Sequence, residues 1–429
     1  MGSEMKILHI NTYDRGGAAN ACTRLHLGLL EKGVESKLLL KQKTKNLPSS
    51  FVYVPPPLKQ SFLSKVIRKG RSIINKFFSA ELKEKRKRQF FLNKRSKKLE
   101  MFSFPYTDFD ITTSPLYQEA DIIHLHWTAN FLDYYSFFRK NKKPVIWTIV
   151  DENPYSGGEH YREYYSDINE KGELLSREIT DIEQTIFSEN QNLKIKALEG
   201  VKNLHIAAMS DWLVTSSKKS PVFNQFPHLK LGYGANPNIY HPRNIEFTRD
   251  IFGLPKDRKV VLFLSSSLKN PRKGYGFLIP IIQEAERQKL DVTFCTVGND
   301  SRIKSRHKNV MQLDYIHDEL LLSLLYAACD VILIPSLMDN LPYTLIEALL
   351  CGTPCIGFPV GGIEESITHK KNGLLCDEVS SESLKHTFFT FLNEGVELSR
   401  DEIASEARKI YDYKIHVNAY IETYKKLLN

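Results

Sequence analysis

Two carboxylates in the second half of the chain are of a type and spacing that could hold the hydroxyl groups of a sugar or ribose ring. Asp339 and Glu347 lie in the segment 335–354, where Pro342 suits a first helical position and Gly352 a C-terminal cap. Asp339 therefore falls in a loop and Glu347 in the opening turns of a helix. A carboxylate near a helix start stays ionised and can accept two hydroxyls. The alternative is that Glu347 only balances the helix dipole.

A pair of cations follows a predicted strand earlier in the same half. The strand at 260–265 leads into the sequence Ser-Ser-Ser-Leu-Lys-Asn-Pro-Arg-Lys-Gly at 265–274. Arg272 and Lys273 thus lie at the carboxyl edge of the predicted sheet. There they could neutralise a diphosphate leaving group. A solvated basic turn is the alternative.

Glycine pairs follow two of the predicted strands. Gly16 and Gly17 come between the first strand and the first helix, and Gly361 and Gly362 follow a later strand. Without a Cβ the backbone can approach a ligand closely, and the N–H groups at a helix start attract anions. A purely structural turn at Gly16 and Gly17 is the alternative.

Alternating short apolar strands and helical segments must position these residues. The predicted strands are 6–10, 34–40, 121–126, 144–149, 205–209, 260–265, 292–297, 310–313, 331–334 and 354–357. A chain of 429 residues exceeds the size of a single core. We therefore predict an α/β protein with two doubly wound Rossmann-like domains, 5–225 and 235–410, whose loops face one cleft. The helical segment 411–429 is expected to pack back on the first domain.

The positive charge is concentrated in one insertion, 58–100. The formal net charge is +9, yet 59–98 alone holds 15 Lys and Arg against Glu81 and Glu84. Apolar residues recur there at helical spacing, which predicts an amphipathic basic helix that could contact an anionic membrane surface. The alternative is a helical hairpin packed on its own domain. We expect no nucleic-acid partner, because no recognised binding motif accompanies the charge.

The overall composition is that of a soluble globular protein, with 42% hydrophobic and 25% charged residues. The N-terminus has no signal-peptide layout, and no apolar run approaches the roughly 18 residues of a membrane span. The six cysteines indicate free thiols in a reducing compartment. No His or Cys cluster has the spacing of a metal site. We therefore expect a cytoplasmic protein, peripheral at the inner membrane face through its basic insertion, without a bound metal.

As a set, these motifs resemble the retaining GT-B glycosyltransferases of family 4. The likeness rests on the block from Asp339 to Glu347, the turn Arg272-Lys273-Gly274 and the glycine loop 361–362. This chain has Asp339 where the family usually has Glu. The resemblance implies that Glu347 holds the nucleotide ribose and that Asp339 lies by the donor sugar. It also implies that Arg272 and Lys273 bind the donor diphosphate, so these four residues are the expected catalytic set.

Further donor contacts are implied by the same resemblance. The loop of Gly16 and Gly17 is expected to close on the phosphates and the acceptor, and the backbone at Tyr315 and Ile316 to contact the base. Asn340 and Leu341, which follow Asp339, complete the expected donor-binding set.

The first half is similar to a bacterial polysaccharide-assembly branch of the family. The segments 121–127, 147–151 and 155–161 carry that likeness. Its acceptor-side candidates are His126, Asp151 and His160. One departure stands out: the branch usually reads Thr-Leu-His-Asp at 148–151, and this chain has Val150 in place of the histidine. That histidine commonly contacts the donor sugar.

The function implied is transfer of a sugar from a nucleotide-diphosphate-sugar to a hydroxyl of a glycan or lipid-linked glycan in surface polysaccharide biosynthesis. The anomeric configuration would be retained by a front-face displacement in which the leaving diphosphate helps to take the acceptor proton. No cofactor is expected, and the reaction would be independent of metal. Two alternatives remain: a catalytically weak nucleotide-sugar-binding subunit, suggested by Val150, and a sugar-nucleotide epimerase or hydrolase of the same fold.

Overall fold

The computed structural model describes residues 5–56, 86–298 and 307–429. The part of the predicted basic insertion from 58 to 85 lies outside the described residues, so neither interpretation of its apolar stripe is tested. No helix within the described ranges is both long and apolar enough to cross a bilayer.

The strands follow the apolar runs of the sequence. They are β1 (Lys6–Asn11), β2 (Glu35–Leu40), β3 (Ser50–Val52), β4 (Ile122–Leu125), β5 (Val145–Thr148), β6 (Tyr165–Ile168), β7 (Leu174–Ser176), β8 (Leu204–Ala208), β9 (His228–Lys230), β10 (Lys259–Leu264), β11 (Val292–Val297), β12 (Val310–Leu313), β13 (Val331–Ile334), β14 (Cys355–Gly357) and β15 (Gly373–Leu375).

Helices separate most of these strands. They are α1 (Gly17–Glu31), α2 (Pro115–Glu119), α3 (Tyr134–Lys140), α4 (Asp181–Leu198), α5 (Asp211–Lys219), α6 (Ile245–Phe252), α7 (Leu278–Arg287), α8 (Glu319–Ala328), α9 (Tyr343–Leu350), α10 (Gly361–Ser366), α11 (Ser381–Glu394), α12 (Arg400–Tyr411) and α13 (Tyr413–Leu428). Short 3-10 turns form at Ile111–Thr113, Pro271–Lys273 and Tyr275–Phe277.

Two parallel sheets organise the described chain. The first has the order β3-β2-β1-β4-β5-β8-β9 and the second the order β12-β11-β10-β13-β14-β15. Strands such as β4 and β13 are buried along their whole length, as expected for parallel strands covered by helices on both faces. This confirms the predicted α/β class with two doubly wound Rossmann-like units. Below, the parts of the chain around the two sheets are called the first and second domains.

The strand order of each sheet reverses at one point. The reversal lies between β1 and β4 in the first sheet and between β10 and β13 in the second. In open parallel sheets, ligands bind outside the carboxyl ends of the strands at such a switch point. The loops after these four strands are therefore the places to look for a site.

The last helix, α13, lies against the first domain although it follows the second in sequence. Its buried side chains Val417, Tyr420 and Tyr424 share a core with apolar residues of β1, α1, β4, β5 and β8. Gly28 permits the close approach, because a Cβ there would lie 2.4 Å from Val417 Cγ2. The two domains are thus joined by two crossings of the chain, at 232–243 and at 411–413.

A short antiparallel hairpin, β6 and β7, forms a further bridge between the domains. Ile168 packs against Gly276, and the Ser381 hydroxyl donates a hydrogen bond of 2.8 Å to the carbonyl of Gly172. The sequence analysis did not anticipate this hairpin. Its strand β7 is exposed at all three positions, so it lacks the buried apolar run by which the ten predicted strands were recognised. The short edge strands β3, β9 and β15 were not predicted either.

Candidate functional site

A cavity of about 560 Å³ lies between the carboxyl ends of the two sheets. Residues from the loops at both switch points line it. The sequence-predicted residues among them are Gly16, Gly17, Asp151, His160, Arg272, Lys273, Tyr315, Ile316, Asp339, Asn340, Leu341 and Glu347. The structure thus brings together every predicted site residue except His126 and the glycine pair 361–362, which packs against the backbone of Asp339 and Asn340.

The cationic pair is presented by a tight turn after β10. The 3-10 turn Pro271–Lys273 starts where the Asn270 side chain accepts a hydrogen bond from the N–H of Arg272, and it ends at Gly274. Gly274 has a φ of +76°, and a Cβ there would lie 1.9 Å from the carbonyl oxygen of Pro335. The turn is therefore seated directly against the loop that carries Asp339.

Asp339 lies between the two cations. Lys273 Nζ donates to Asp339 Oδ2 at 2.5 Å and Arg272 Nη1 donates to the same oxygen at 3.2 Å. Burial works to raise the pKa of the Asp339 carboxyl, but the charges of Lys273 and Arg272 outweigh it and lower the pKa below its usual value. Asp339 is therefore an anion held in the same corner of the cavity as two cations.

Glu347 is placed in the second turn of α9, which begins at Tyr343. Its side chain is buried, and it accepts hydrogen bonds from Arg24 Nη2 at 2.8 Å and from the Tyr326 hydroxyl at 3.1 Å. Burial raises the pKa of this carboxyl, and Arg24 opposes that rise. Since carboxylate oxygens have about four acceptor positions, Glu347 retains capacity for the hydroxyls of a ligand.

Asn340 and Leu341 connect the site to the first domain. The Ser210 hydroxyl, at the start of α5, donates to Asn340 Oδ1 at 2.5 Å, and the Tyr233 hydroxyl donates to the carbonyl of Leu341 at 2.7 Å. The amide nitrogen Asn340 Nδ2 is buried without a partner. The loop after β13 is therefore held in place by the first domain and by the crossing segment 232–243.

On the first domain, Asp151 and His160 form a hydrogen-bonded pair at the cavity wall. His160 Nδ1 lies 2.6 Å from Asp151 Oδ2, and Trp127 Nε1 donates to the same carboxylate oxygen at 2.9 Å. The other ring nitrogen of His160 is 2.9 Å from the Ser103 hydroxyl. Val150 also lines the cavity, so its apolar side chain is indeed at the site.

His126 lies beneath the cavity instead of lining it. Its ring is buried beside those of His9 and His124, and ring nitrogens of the three lie within 4.8 Å of one another. Sequence spacing did not anticipate this grouping, because the three residues come from the adjacent strand ends of β1 and β4. The expectation that His126 faces the acceptor is therefore wrong in position: it is a core residue.

The three rings nevertheless have the arrangement of a neutral hydrogen-bonded cluster. Their planes are tilted by only 29° to 39° from one another. Both nitrogens of His124 are engaged, one by the Tyr424 hydroxyl at 2.6 Å and one by the Thr148 hydroxyl at 2.7 Å. Burial lowers the pKa of all three rings, that of His126 to about 3. His9 Nδ1 lies 2.8 Å from His126 Nε2, and the other nitrogen of His9 is buried without a hydrogen-bond partner.

Two residues of the site were missed by sequence reasoning, Glu100 and Arg24. Glu100 Oε1 accepts from Arg272 Nε at 2.5 Å and from Asn270 Nδ2 at 2.8 Å, across the cavity from the first domain. Burial would raise the pKa of Glu100, but the charge of Arg272 and the hydrogen bonds lower it to about 2. Glu100 sits at the end of the basic segment, and no local pattern marks it.

Comparison with known proteins places a recognised domain on the second half of the chain. Residues 258–394 match the family described as Glycosyl transferases group 1. An uncharacterized glycosyltransferase of Methanocaldococcus jannaschii is 32% identical over 33% of this chain and 38% of its own length. The N-acetyl-alpha-D-glucosaminyl L-malate synthase of Bacillus anthracis is 28% identical over 32% of this chain and 37% of its own length. The chain thus matches less than half the length of either relative.

Solved structures resemble the chain over nearly its whole length. The Anabaena HepE protein, solved in complex with UDP-glucose, superposes with a TM-score of 0.63 and 16% identity, covering 98% of this chain and all of HepE. This likeness confirms the GT-B arrangement of the two sheets.

Proposed function

We propose that the chain is a glycosyltransferase that moves a sugar from a nucleotide-diphosphate-sugar to a hydroxyl of a glycan or lipid-linked glycan, in the biosynthesis of a surface polysaccharide. One observation carries the proposal: the carboxylates Asp339 and Glu347 and the cations Arg272 and Lys273 line one cavity at the switch points of two facing sheets. The group 1 match at 258–394 supports it, because that range contains all four residues.

In this proposal the second domain holds the donor. Glu347 accepts the ribose hydroxyls, and Asp339, fixed by its two cations, accepts hydroxyls of the donor sugar. Arg272 and Lys273 stabilise the negative charge that grows on the diphosphate as it leaves. HepE was solved with UDP-glucose, which makes a uridine donor the first to test.

The transfer itself is proposed to retain the anomeric configuration. The acceptor oxygen attacks the anomeric carbon on the face from which the diphosphate departs. As the bond to the diphosphate oxygen breaks, the acceptor proton passes to that oxygen. The residues of the cavity then contribute orientation and charge stabilisation, so we propose that no metal is required.

The acceptor is proposed to lie against the first domain. Asp151 and His160 offer a hydrogen-bonding pair there, and Trp127 offers a half-buried ring beside them. Glycine pair 16–17 lies on the same side, at the start of α1. The concentration of basic residues at 59–98 supports an acceptor carried at an anionic membrane surface.

A nucleotide-sugar-binding subunit with weak turnover is the second candidate. Val150 favours it, because this side chain lines the cavity and cannot donate a hydrogen bond to the donor sugar. Both functions require binding of a nucleotide-sugar, but only the glycosyltransferase forms an extended glycan.

The products distinguish the candidates. The purified chain is first screened by thermal shift against UDP-, GDP- and ADP-sugars, since a ligand that binds only the folded state raises the melting temperature. The stabilising donor is then incubated with glycan acceptors. A transferase releases free nucleoside diphosphate together with an extended glycan. Binding without release indicates the subunit, and an isomerised or hydrolysed sugar without an extended glycan rules out the transferase.

A further inference from the structure

Arg24 reaches from the first domain to the ribose carboxylate of the second. It lies on α1, and its Nη2 donates to Glu347 at 2.8 Å and to Glu319 at 2.6 Å. Its Nε also donates to Glu319, at 3.2 Å. The Arg24 side chain is only 12% exposed. One guanidinium therefore links α1 to both α8 and α9 across the domain boundary.

Aromatic rings fix the plane of this guanidinium. Its central carbon lies 4.5 Å from the ring centroid of Tyr343 and 5.5 Å from that of Tyr240. The Tyr240 hydroxyl also accepts from Nη2, at 3.2 Å. The last donor group, Nη1, is buried without a partner. Buried polar groups in proteins usually have a hydrogen-bond partner, so this unpaired donor is an exception.

The other titratable groups around Glu347 are anionic or neutral. They are Glu319 and Tyr326 on α8, Tyr343 on α9, Cys351 at the end of α9, and Tyr240 and Tyr315 in flanking loops. Glu319 raises the pKa of Glu347 further, in the same direction as burial. Among the described residues, Arg24 is the one cation hydrogen-bonded to Glu347.

We propose that Arg24 is a positioning residue of the transfer, which holds Glu347 ionised and oriented for the donor ribose only while the two domains are closed on each other. The inference rests on the proposed function, because it takes Glu347 as the ribose ligand. It also explains how closure of the two domains and binding of the donor would favour each other. A donor that uses the charged Glu347 binds better to the closed state and so shifts the population toward it.

Replacement of the cation tests the inference. In Arg24→Met, the buried Glu347 loses its counter-charge, so its pKa rises further and a larger share is protonated at neutral pH. Donor affinity should then fall by about tenfold to a hundredfold, the range expected when a hydrogen bond to a charged group is lost. Because raising the pH ionises Glu347 again, the loss should shrink as the pH increases. In Arg24→Lys the charge is kept, and the wild-type pH profile should be largely restored.

The measurement is equilibrium binding of UDP-glucose by calorimetry from pH 6 to pH 9, or of the sugar nucleotide that gives the largest thermal shift. Arg287→Met serves as the matched control, because Arg287 is an exposed arginine on α7, remote from the cavity. It should bind like the wild type. Melting temperatures show whether each variant is folded.

The outcomes separate the two proposals. If the wild type binds no sugar nucleotide, the proposed function itself fails. If the wild type binds and the folded Arg24→Met variant has the wild-type affinity, only the role of Arg24 is overturned. The same holds if the affinity of the variant depends on pH as that of the wild type does. Equal loss in Arg24→Met and Arg24→Lys at every pH would also overturn it, since a purely structural arginine gives that result.

Discussion

The Lys273 side chain is only 23% exposed, whereas a mobile surface lysine would serve a simple basic turn equally well. Its ammonium bonds Asp339, and burial lowers its pKa against the attraction of that carboxylate. Lys273 is therefore not part of a fully solvated basic turn, which was the alternative considered from the sequence. A cation that is fixed beside an anion is already oriented for a phosphate group that replaces or joins that anion.

Removal of this ammonium should damage catalysis strongly. For Lys273→Ala we expect a loss of about 2.7–4 kcal/mol of transition-state stabilisation, roughly a hundredfold to a thousandfold in kcat/KM. Lys269→Ala is the matched control, because Lys269 is exposed on the same loop. Steady-state kinetics with a saturating acceptor measure both. Near-wild-type turnover in Lys273→Ala would remove the diphosphate role from this turn.

Glu100 places a carboxylate where the diphosphate is proposed to bind. Since Glu100 and a diphosphate both require Arg272, we expect Glu100→Gln to bind UDP more tightly, by about fivefold, from the roughly 1 kcal/mol of one partly exposed ion pair. Because the folded-state pKa is about 2, Glu100 is ionised throughout the neutral range and the effect should not vary between pH 6 and pH 9. Calorimetric titration with UDP measures it, and weaker binding would indicate that Glu100 supports Arg272.

The sequence predicted the site residues that belong to short motifs, and it did not predict those that reach the site from the other domain. Asp339, Glu347, Arg272 and Lys273 belong to short motifs with recognisable strand and helix boundaries. Arg24 and Glu347 are 323 residues apart, and Glu100 and Arg272 are 172 apart. Such contacts arise only from the closure of two domains, which leaves no local pattern in a single sequence.

Among the secondary-structure elements, buried apolar runs predicted ten of the thirteen strands described in the two sheets, and the short edge strands β3, β9 and β15 were missed. Strands such as β4, β10 and β13 are continuous apolar segments because parallel strands are covered on both faces. The hairpin of β6 and β7 could not be found in this way, since its strands are short and partly or wholly exposed. In α13, Tyr420 and Tyr424 are buried against apolar residues of the first domain.

The turn at Gly274 should tolerate no side chain. Gly274→Ala combines a left-handed φ of +76° with a clash against the Pro335 carbonyl, so we expect a loss beyond the about 1–3 kcal/mol of the backbone strain alone. Gly253→Ala is the matched control, with a φ of +64° and no atom within 4 Å of the added Cβ. Urea unfolding measures both. If the two variants lose equal stability, the turn is not seated against Pro335 as described.

At the scale of the whole molecule, the described contacts hold the two domains together around the cavity. Glu365 of α10 accepts hydrogen bonds from the backbone N–H groups of Asp211 and Trp212, at the start of α5 in the first domain. Together with Arg24 and Glu100, this contact bonds the domains on several sides of the cavity. For the proposed transfer, such an arrangement of domains can exclude water from the cavity and must open to release a product.

The basic insertion gives the molecule a separate testable surface. Arg95, at its C-terminal end, is buried in an ion-pair network with Glu159 and Glu163, so deletion of the whole segment would disturb the fold. We therefore expect replacement of the Lys and Arg residues at 59–83 by Gln to weaken binding to vesicles with anionic lipid, by about 1 kcal/mol per charge near the surface. Sedimentation with anionic and neutral vesicles measures this. Unchanged partitioning would favour a hairpin packed on its own domain.

We propose that acidic and basic side chains of the second domain bind one sugar nucleotide inside the cavity. Titration of the stabilising sugar nucleotide into the wild type, Glu347→Gln and Lys273→Ala tests it most directly. We predict saturable binding to the wild type and affinities lower by at least about tenfold in both variants, because each loses a charged hydrogen-bonding group. Equal affinity in all three proteins would show that Glu347 and Lys273 do not bind the sugar nucleotide.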